Sequence, residues 1–217
     1  MDLTISGTRV RMEGYSVFSL IMEAYNVKQF QISLASLPSQ DREVREVMYD
    51  IDARAPGTGV PPRQDVRAMV QTLLVNRFHL AVHRESKEMS VYALVVSKEG
   101  ERLKKSADEG EPSMHTGIAS NGRNYEITFS RCRIDDLTDQ LMNLLNGKGE
   151  PVVDRTGLTG RYDFSLIATP EFKLRSSSAP GDIDVFSAVQ QLGLRLERQK
   201  LPIEMIAVDH VTKPTAN

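Results

Sequence analysis

The sequence predicts an α+β protein of two tandem β-α-β-β-α-β-β units, with helices packed on one face of a mainly antiparallel sheet. Three observations predict it. Four segments carry one-sided apolar stripes at helical spacing, short alternating segments lie between them, and both sets recur in the same order. Val17 and Ile134 are 117 residues apart, Tyr49 and Tyr162 are 113 apart, and Val66 and Val185 are 119 apart. Around those landmarks Tyr-Asp-Ile is echoed by Tyr-Asp-Phe, and Asp65-Val66 by Asp184-Val185.

The first helix rests on Val17, Leu20, Ile21, Ala24 and Tyr25, with Ser16 as its N-cap. A second stripe, Val66, Met69, Val70, Leu73 and Leu74, follows Pro61 and Pro62, which suit a helix start. In the other half Ile134, Leu137, Leu141, Leu144 and Leu145 form a stripe, with Asp135 and Asp136 in its first turn favouring the helix dipole. Val185, Ala188, Val189 and Leu192 form the fourth, and Gly193 is placed to end it. Each stripe covers one face only, which places these helices on a sheet. Arg9–Met12 and Tyr125–Phe129 alternate ahead of the first helix of each half, and Met48–Ala53 and Arg161–Leu166 follow it. A strand pair is expected after the second helix of each half: Phe78–Arg84 with Val91–Val96, and Leu194–Glu197 with Ile203–Val208.

These elements imply a first unit over residues 1–98, a polar linker or mobile loop over 99–124, and a second unit over 125–217. The stretch from Ser97 to Asn124 is rich in Lys, Glu, Gly, Ser and Asp and carries too little apolar surface to order itself. Arg175–Gly181 is a second weak stretch.

Charge and composition exclude some roles. The 217 residues hold 27 Lys and Arg against 29 Asp and Glu, a formal net charge of -2, which does not suit a nucleic-acid binder. No apolar run is long enough to span a bilayer, and the first residues lack a signal-peptide pattern. The single cysteine, Cys132, forms no internal disulfide and reads as a small strand residue, not a nucleophile.

Candidate chemistry is sparse. His79 and His83 lie in a strand-like His-Leu-Ala-Val-His run, on the same face as Ala81, and Leu80 stands where a zinc-protease helix needs Glu. With a carboxylate such as Asp154 they define an alternative reading, a metal-dependent hydrolase. Gly57-Thr58-Gly59 and Gly147-Lys148-Gly149 lack the phosphate-loop frame and read as turns or helix stops. Asp154-Arg155-Thr156-Gly157-Leu158-Thr159-Gly160-Arg161-Tyr162 is the densest polar, glycine-rich stretch; Asp154, Arg155, Thr156 and Tyr162 are its candidate ligand-binding residues. No cofactor and no catalytic set is expected. The scaffold suits a non-enzymatic binding or interaction module whose sheet edges recruit a peptide or cell-envelope component.

Tyr49-Asp50-Ile51-Asp52-Ala53, Leu73-Leu74-Val75-Asn76-Arg77-Phe78-His79-Leu80 with His83-Arg84-Glu85, Val91–Val96, Pro151–Phe164 and Val208–Pro214 together resemble a soil-associated acidobacterial paralogous family of unknown function. The Asp-Arg-Thr-Gly-Leu run at Asp154 is the most specific piece. The resemblance implies an exported, periplasmic or secreted protein with a signal peptide in the full gene, in some members joined to membrane metallopeptidases of the β-lactam-sensor type. It brings no catalytic residues. Members usually carry Gly-Pro-x-Trp after the first helix, where this chain has Ala35-Ser36-Leu37-Pro38-Ser39, and usually begin with a signal peptide and a further strand, which this sequence is expected to lack.

Overall fold

The structure, a computed structural model, describes residues 2–107, 110–145 and 150–214. It is an α+β fold with mainly antiparallel sheets. Gly147-Lys148-Gly149 lies outside the described residues. In chain order the strands are β1 (Asp2–Ser6), β2 (Arg9–Ser16), β3 (Ile32–Ser33), β4 (Met48–Arg54), β5 (Ala81–Val96), β6 (Lys104–Lys105), β7 (Ser113–Ile118), β8 (Tyr125–Cys132), β9 (Val152–Asp154), β10 (Tyr162–Ala168) and β11 (Leu194–His210). The helices are α1 (Val17–Tyr25), α2 (Asp41–Glu46), α3 (Arg63–Phe78), α4 (Ile134–Leu144), α5 (Glu171–Ser176) and α6 (Val185–Gln191).

The four striped segments are helices because each places its apolar residues on one buried face. Ser16 caps α1 by accepting the Ser19 N–H at 3.2 Å, and Asp184 caps α6 by accepting that of Ser187 at 3.1 Å. Asp136 reaches back to the Arg133 N–H at 2.7 Å at the start of α4. Gly193, at φ 70°, follows α6 as expected.

The chain forms two compact units, residues 1–87 with 202–217, and residues 88–201. This partition differs from the one into 1–98, 99–124 and 125–217. It arises because the two expected strand pairs are single long strands. Glu85-Ser86-Lys87-Glu88-Met89-Ser90 holds no Gly, Pro, Asn or Asp to turn the chain, so β5 runs on through it to Val96. β11 also continues through Arg198–Pro202, although Pro202 lies within that run. Each long strand therefore begins in one unit and ends in the other. Phe78 closes α3 instead of opening a strand.

In the first unit β1, β2 and β4 form an antiparallel sheet in that order, with β4 on an edge, and β3, β11 and β5 form a second group in which β3 runs parallel to β11. Met12, Leu20, Ile21, Val66, Leu74 and Val208 are almost wholly buried in its core, so α1 and α3 pack on strands from both ends of the chain. Arg63 pairs with Glu23 at 2.8 Å, and the Gln71 amide donates to the Ala24 carbonyl at 2.8 Å, which fixes α3 against α1.

In the second unit the sheet order is β6-β10-β8-β7, all antiparallel, and β9 lies parallel to β5. Phe129, Leu137, Leu141, Leu166, Val189 and Leu194 anchor its core. The 99–124 segment, expected as a linker, contributes β6 and β7: it orders by backbone pairing to β10 and β8, which needs little apolar surface of its own. Its end is locked by a buried polar network. Thr169 Oγ1 donates to Asn124 Oδ1 at 2.5 Å and accepts the Ile183 N–H at 3.0 Å, and Asn124 Nδ2 donates to the Gly181 carbonyl at 3.0 Å. Arg123 forms a two-pronged pair with Asp182 at 2.8 and 2.9 Å. The Arg175–Gly181 stretch is thereby held on both sides, and α5 occupies its beginning.

One local device appears in both units. The register of β2 on β4 shifts between Met12 and Tyr15; Gly14 sits there at φ 66° and donates its N–H to Asp50 at 2.9 Å. The register of β8 on β10 shifts beside Tyr162; Arg131 sits there at φ 55° and donates its N–H to Asp163 at 2.8 Å. Tyr15 faces Tyr49, and Cys132 faces Tyr162.

Candidate functional site

The turn after β9 uses most of its polar groups on itself. Asp154 Oδ1 accepts from the Thr156 N–H and the Thr156 hydroxyl, both at 2.8 Å, and the same hydroxyl accepts the Leu158 N–H at 3.1 Å. Gly157 and Gly160 supply φ of 70° and 109°. Tyr162 is buried and donates its hydroxyl to the Thr159 carbonyl at 3.1 Å. Arg155 is exposed; its N–H pairs with the Leu94 carbonyl at 2.9 Å. Asp154 and Thr156 are thus brought together as a turn lock, while the Tyr162 hydroxyl is engaged by Thr159 and the Arg155 side chain is exposed.

The histidines do not share a strand face. His79 is the left-handed C-cap of α3, at φ 49°, with Nδ1 3.1 Å from the Thr212 hydroxyl. His83 lies in β5, and its Nδ1 is 2.9 Å from Asp209, whose carboxylate holds the ring's pKa above the ordinary 6.5. Asp154 belongs to the other compact unit. Among the described residues no three His, Cys, Asp or Glu side chains gather as metal ligands. Cys132 is buried at the end of β8, and burial pushes its thiol pKa up.

The geometry that offers a surface to another molecule lies on β4. No strand among the described residues pairs with its outer edge. The Ala55 N–H donates inward to the Thr8 carbonyl at 2.7 Å, so by alternation the N–H and C=O groups of Met48, Asp50, Asp52 and Arg54 point outward. Tyr49, Ile51 and Ala53 are half-buried, while Met48 is 59% exposed. Beside this edge lie two concavities. One, of about 510 Å³, runs between Ala53 and Pro56 of the strand end and Met69, Thr72 and Leu73 of α3. The other, of about 300 Å³, lies along Tyr49–Asp52 against Leu73 and Phe78. Arg77 lines both, and Arg54 lines the larger; neither forms an ion pair among the described residues. Asp52 is held by Arg9, whereas Asp50 keeps acceptor capacity beyond its one bond from Gly14.

A third concavity of about 320 Å³ lies between Val17, Val44 and Val211, and Gln40 Oε1 lines it without a partner among the described residues. Lys213 and Glu43 close at 3.4 Å at its rim.

Sequence reasoning places β4 and the α3 stripe correctly, but strand order decides which edge is open, and strand order is not written in local patterning. The Tyr-Asp echo was the signal available: it marks Asp50 and Asp163, the two bulge acceptors.

No curated protein and no solved structure matches the chain. A family model described as "Protein of unknown function (DUF3738)" matches residues 18–211. With nearly all of its length inside that match, the chain belongs to the DUF3738 family.

Proposed function

We propose that the protein is a non-enzymatic, extracytoplasmic interaction module that captures an extended peptide segment along the outer edge of β4, beside α3. The observation that carries this reading is the edge left unpaired among the described residues, with a groove next to it. Outward backbone groups supply sequence-independent hydrogen bonds, and pockets for alternate side chains supply selectivity, which is how strand addition works. Ala53, Met69 and Leu73 favour apolar side chains, while Arg54 and Arg77 favour a carboxylate farther along the ligand.

The recurrence of the Asp-capped bulge at Asp50 and Asp163 supports reading the two units as copies of one ancestral unit. The extracytoplasmic placement, soil-bacterial origin and association with membrane metallopeptidases rest on the family resemblance; the sequence upstream in the complete gene tests them.

Selection of random peptides on the intact protein tests the docking reading. Asp52→Pro removes one outward N–H without breaking the β2 ladder, because proline is tolerated where a strand's N–H faces outward. Selected peptides are expected to bind the parent protein and not the Asp52→Pro protein, with unfolding temperature little changed. Peptides that bind both proteins equally, or no selected peptide at all, would overturn the reading.

A further inference from the structure

We infer that the segment received by β4 runs antiparallel to it and carries the pattern apolar, Lys or Arg, any residue, Ser or Thr. This rests on the edge-docking reading above and specifies its occupant.

The second unit shows the equivalent edge filled. β10 stands to β8 as β4 stands to β2: each outer strand carries a Tyr-Asp pair whose aspartate accepts the N–H of the positive-φ bulge residue. Outside β10 lies β6, antiparallel, with Lys105 opposite Tyr162 and Lys104 opposite Asp163. Ser106, the next residue, donates its N–H to the Arg161 carbonyl at 2.9 Å and its hydroxyl to Asp163 at 2.9–3.0 Å. Leu103, the preceding residue, packs against that unit's apolar core. The occupant of this edge is thus Leu103-Lys104-Lys105-Ser106.

Each contact has a counterpart on β4. At the same 113-residue spacing Met48 corresponds to Arg161, Tyr49 to Tyr162, Asp50 to Asp163 and Ile51 to Phe164. The Met48 carbonyl points outward, ready to accept the N–H that Arg161 accepts from Ser106. The Asp50 carboxylate is exposed and able to accept a hydroxyl as Asp163 does. A basic residue opposite Asp50 gains an opposite-charge cross-strand partner. The residue before it, opposite Ile51, points to the α3 side, where Leu73 lines the groove. The asymmetry between the copies is therefore specific: one edge is closed by its own chain, and the other presents the same acceptors to a strand from a partner.

The probe is a synthetic peptide with the sequence of residues 99–107, titrated into the intact protein and followed by amide NMR. Expected are shifts at Met48–Arg54, and a paramagnetic tag on the peptide's N-terminus that broadens Arg54 rather than Met48. Serine-to-alanine substitution in the peptide, and Asp50→Asn in the protein, should each weaken binding roughly tenfold, because the first removes a charge-assisted hydrogen bond and the second removes the charge that strengthens it and attracts the basic residue. Asp50→Asn keeps an acceptor for the Gly14 N–H, so a matched unfolding temperature checks that its fold is retained. Broadening at Met48 by the N-terminal tag, or unchanged affinity for the alanine peptide, overturns the inference. So does edge-to-edge pairing of two copies of the chain, seen as a doubled mass that excludes the peptide. If random peptides bind at β4 but share no such pattern and this probe does not bind, the inference fails while edge docking stands. If nothing binds at the edge, both fail.

Discussion

Thr169→Val tests whether the buried network that joins Asn124 to Thr169, Gly181 and Ile183 contributes net stability. Thr169 is wholly buried, Asn124 nearly so, and valine matches threonine in shape while lacking the hydroxyl. The substitution leaves Asn124 Oδ1 without the donor it has at 2.5 Å and the Ile183 N–H without the acceptor it has at 3.0 Å. Each stranded buried group costs about 1–3 kcal/mol, so with partial relaxation the sum is about 2–4 kcal/mol. With a urea m-value of about 1–3 kcal/mol/M, the unfolding midpoint should fall by about 1–2 M without a change in slope. Thr169→Ser keeps the hydroxyl and loses only a methyl group, a loss of about 0.5–1.5 kcal/mol. Urea denaturation followed by circular dichroism compares the two. A valine variant as stable as the serine variant would refute the reasoning, showing that solvent or a repacked loop satisfies both groups.

Other expectations follow from burial and charge. Leu74→Ala should cost about 2–5 kcal/mol, since Leu74 is fully buried, whereas Leu73→Ala on the groove side should spare most stability and weaken captured peptides; urea unfolding and peptide titration separate them. His83 has a pKa raised by Asp209, so its contribution is fully present below about pH 6.5 and is lost as pH rises through its folded value. His83→Asn should therefore destabilise the protein in mildly acidic buffer and converge with the parent in alkaline buffer, as read by thermal unfolding across pH. Cys132 should react with a disulfide reagent only at the rate of global or local opening, because its thiol is buried and its pKa raised. A fragment of residues 1–98 should not fold alone, because it lacks Ile206, Val208 and Val211 of the first core; together these contribute roughly 5–9 kcal/mol, comparable to a domain's whole stability. A cooperative melt of that fragment would contradict this.

The helices were legible because their information is local. Ser16 with Val17, Leu20 and Ile21, or Asp184 with Val185 and Val189, states both the cap and the face within a few residues. Strands β2, β4, β8 and β10 were legible for the same reason. What failed depended on distant partners. β6, at Lys104-Lys105, has no apolar alternation at all; it is a strand only because β10 offers an edge. β3 and β9 are two or three residues long and exist by pairing with β11 and β5. β1 alternates, with Leu3 and Ile5 between polar neighbours, and its signal was present. β5 and β11 read as strand pairs because each holds a polar run between two apolar ones; polarity exposes a strand without ending it, and in β11 even Pro202 lies inside the continuous strand. For the site, the Asp154 turn was visible as a motif and proves self-satisfied. Asp50 was visible as a landmark, but its chemistry depends on Gly14, 36 residues away.

The charges of β4 bear on which strands its edge admits. A bare edge is open to pairing with any strand, including that of another copy. If two copies paired antiparallel about Ile51, Asp50 of each would face Asp52 of the other, and pairing about Asp50 would set that carboxylate against itself. Like charges directly opposite destabilise a ladder. Arg9 already engages Asp52, so it tempers this repulsion at one position and leaves Asp50 as the discriminating carboxylate. A strand with a cation and a hydroxyl at the matching positions meets no such penalty, as Lys104 and Ser106 show around Asp163. The same aspartate therefore holds the bulge that shapes the edge and disfavours self-pairing of that edge, and under the proposed docking it is also what favours a basic, hydroxyl-bearing partner.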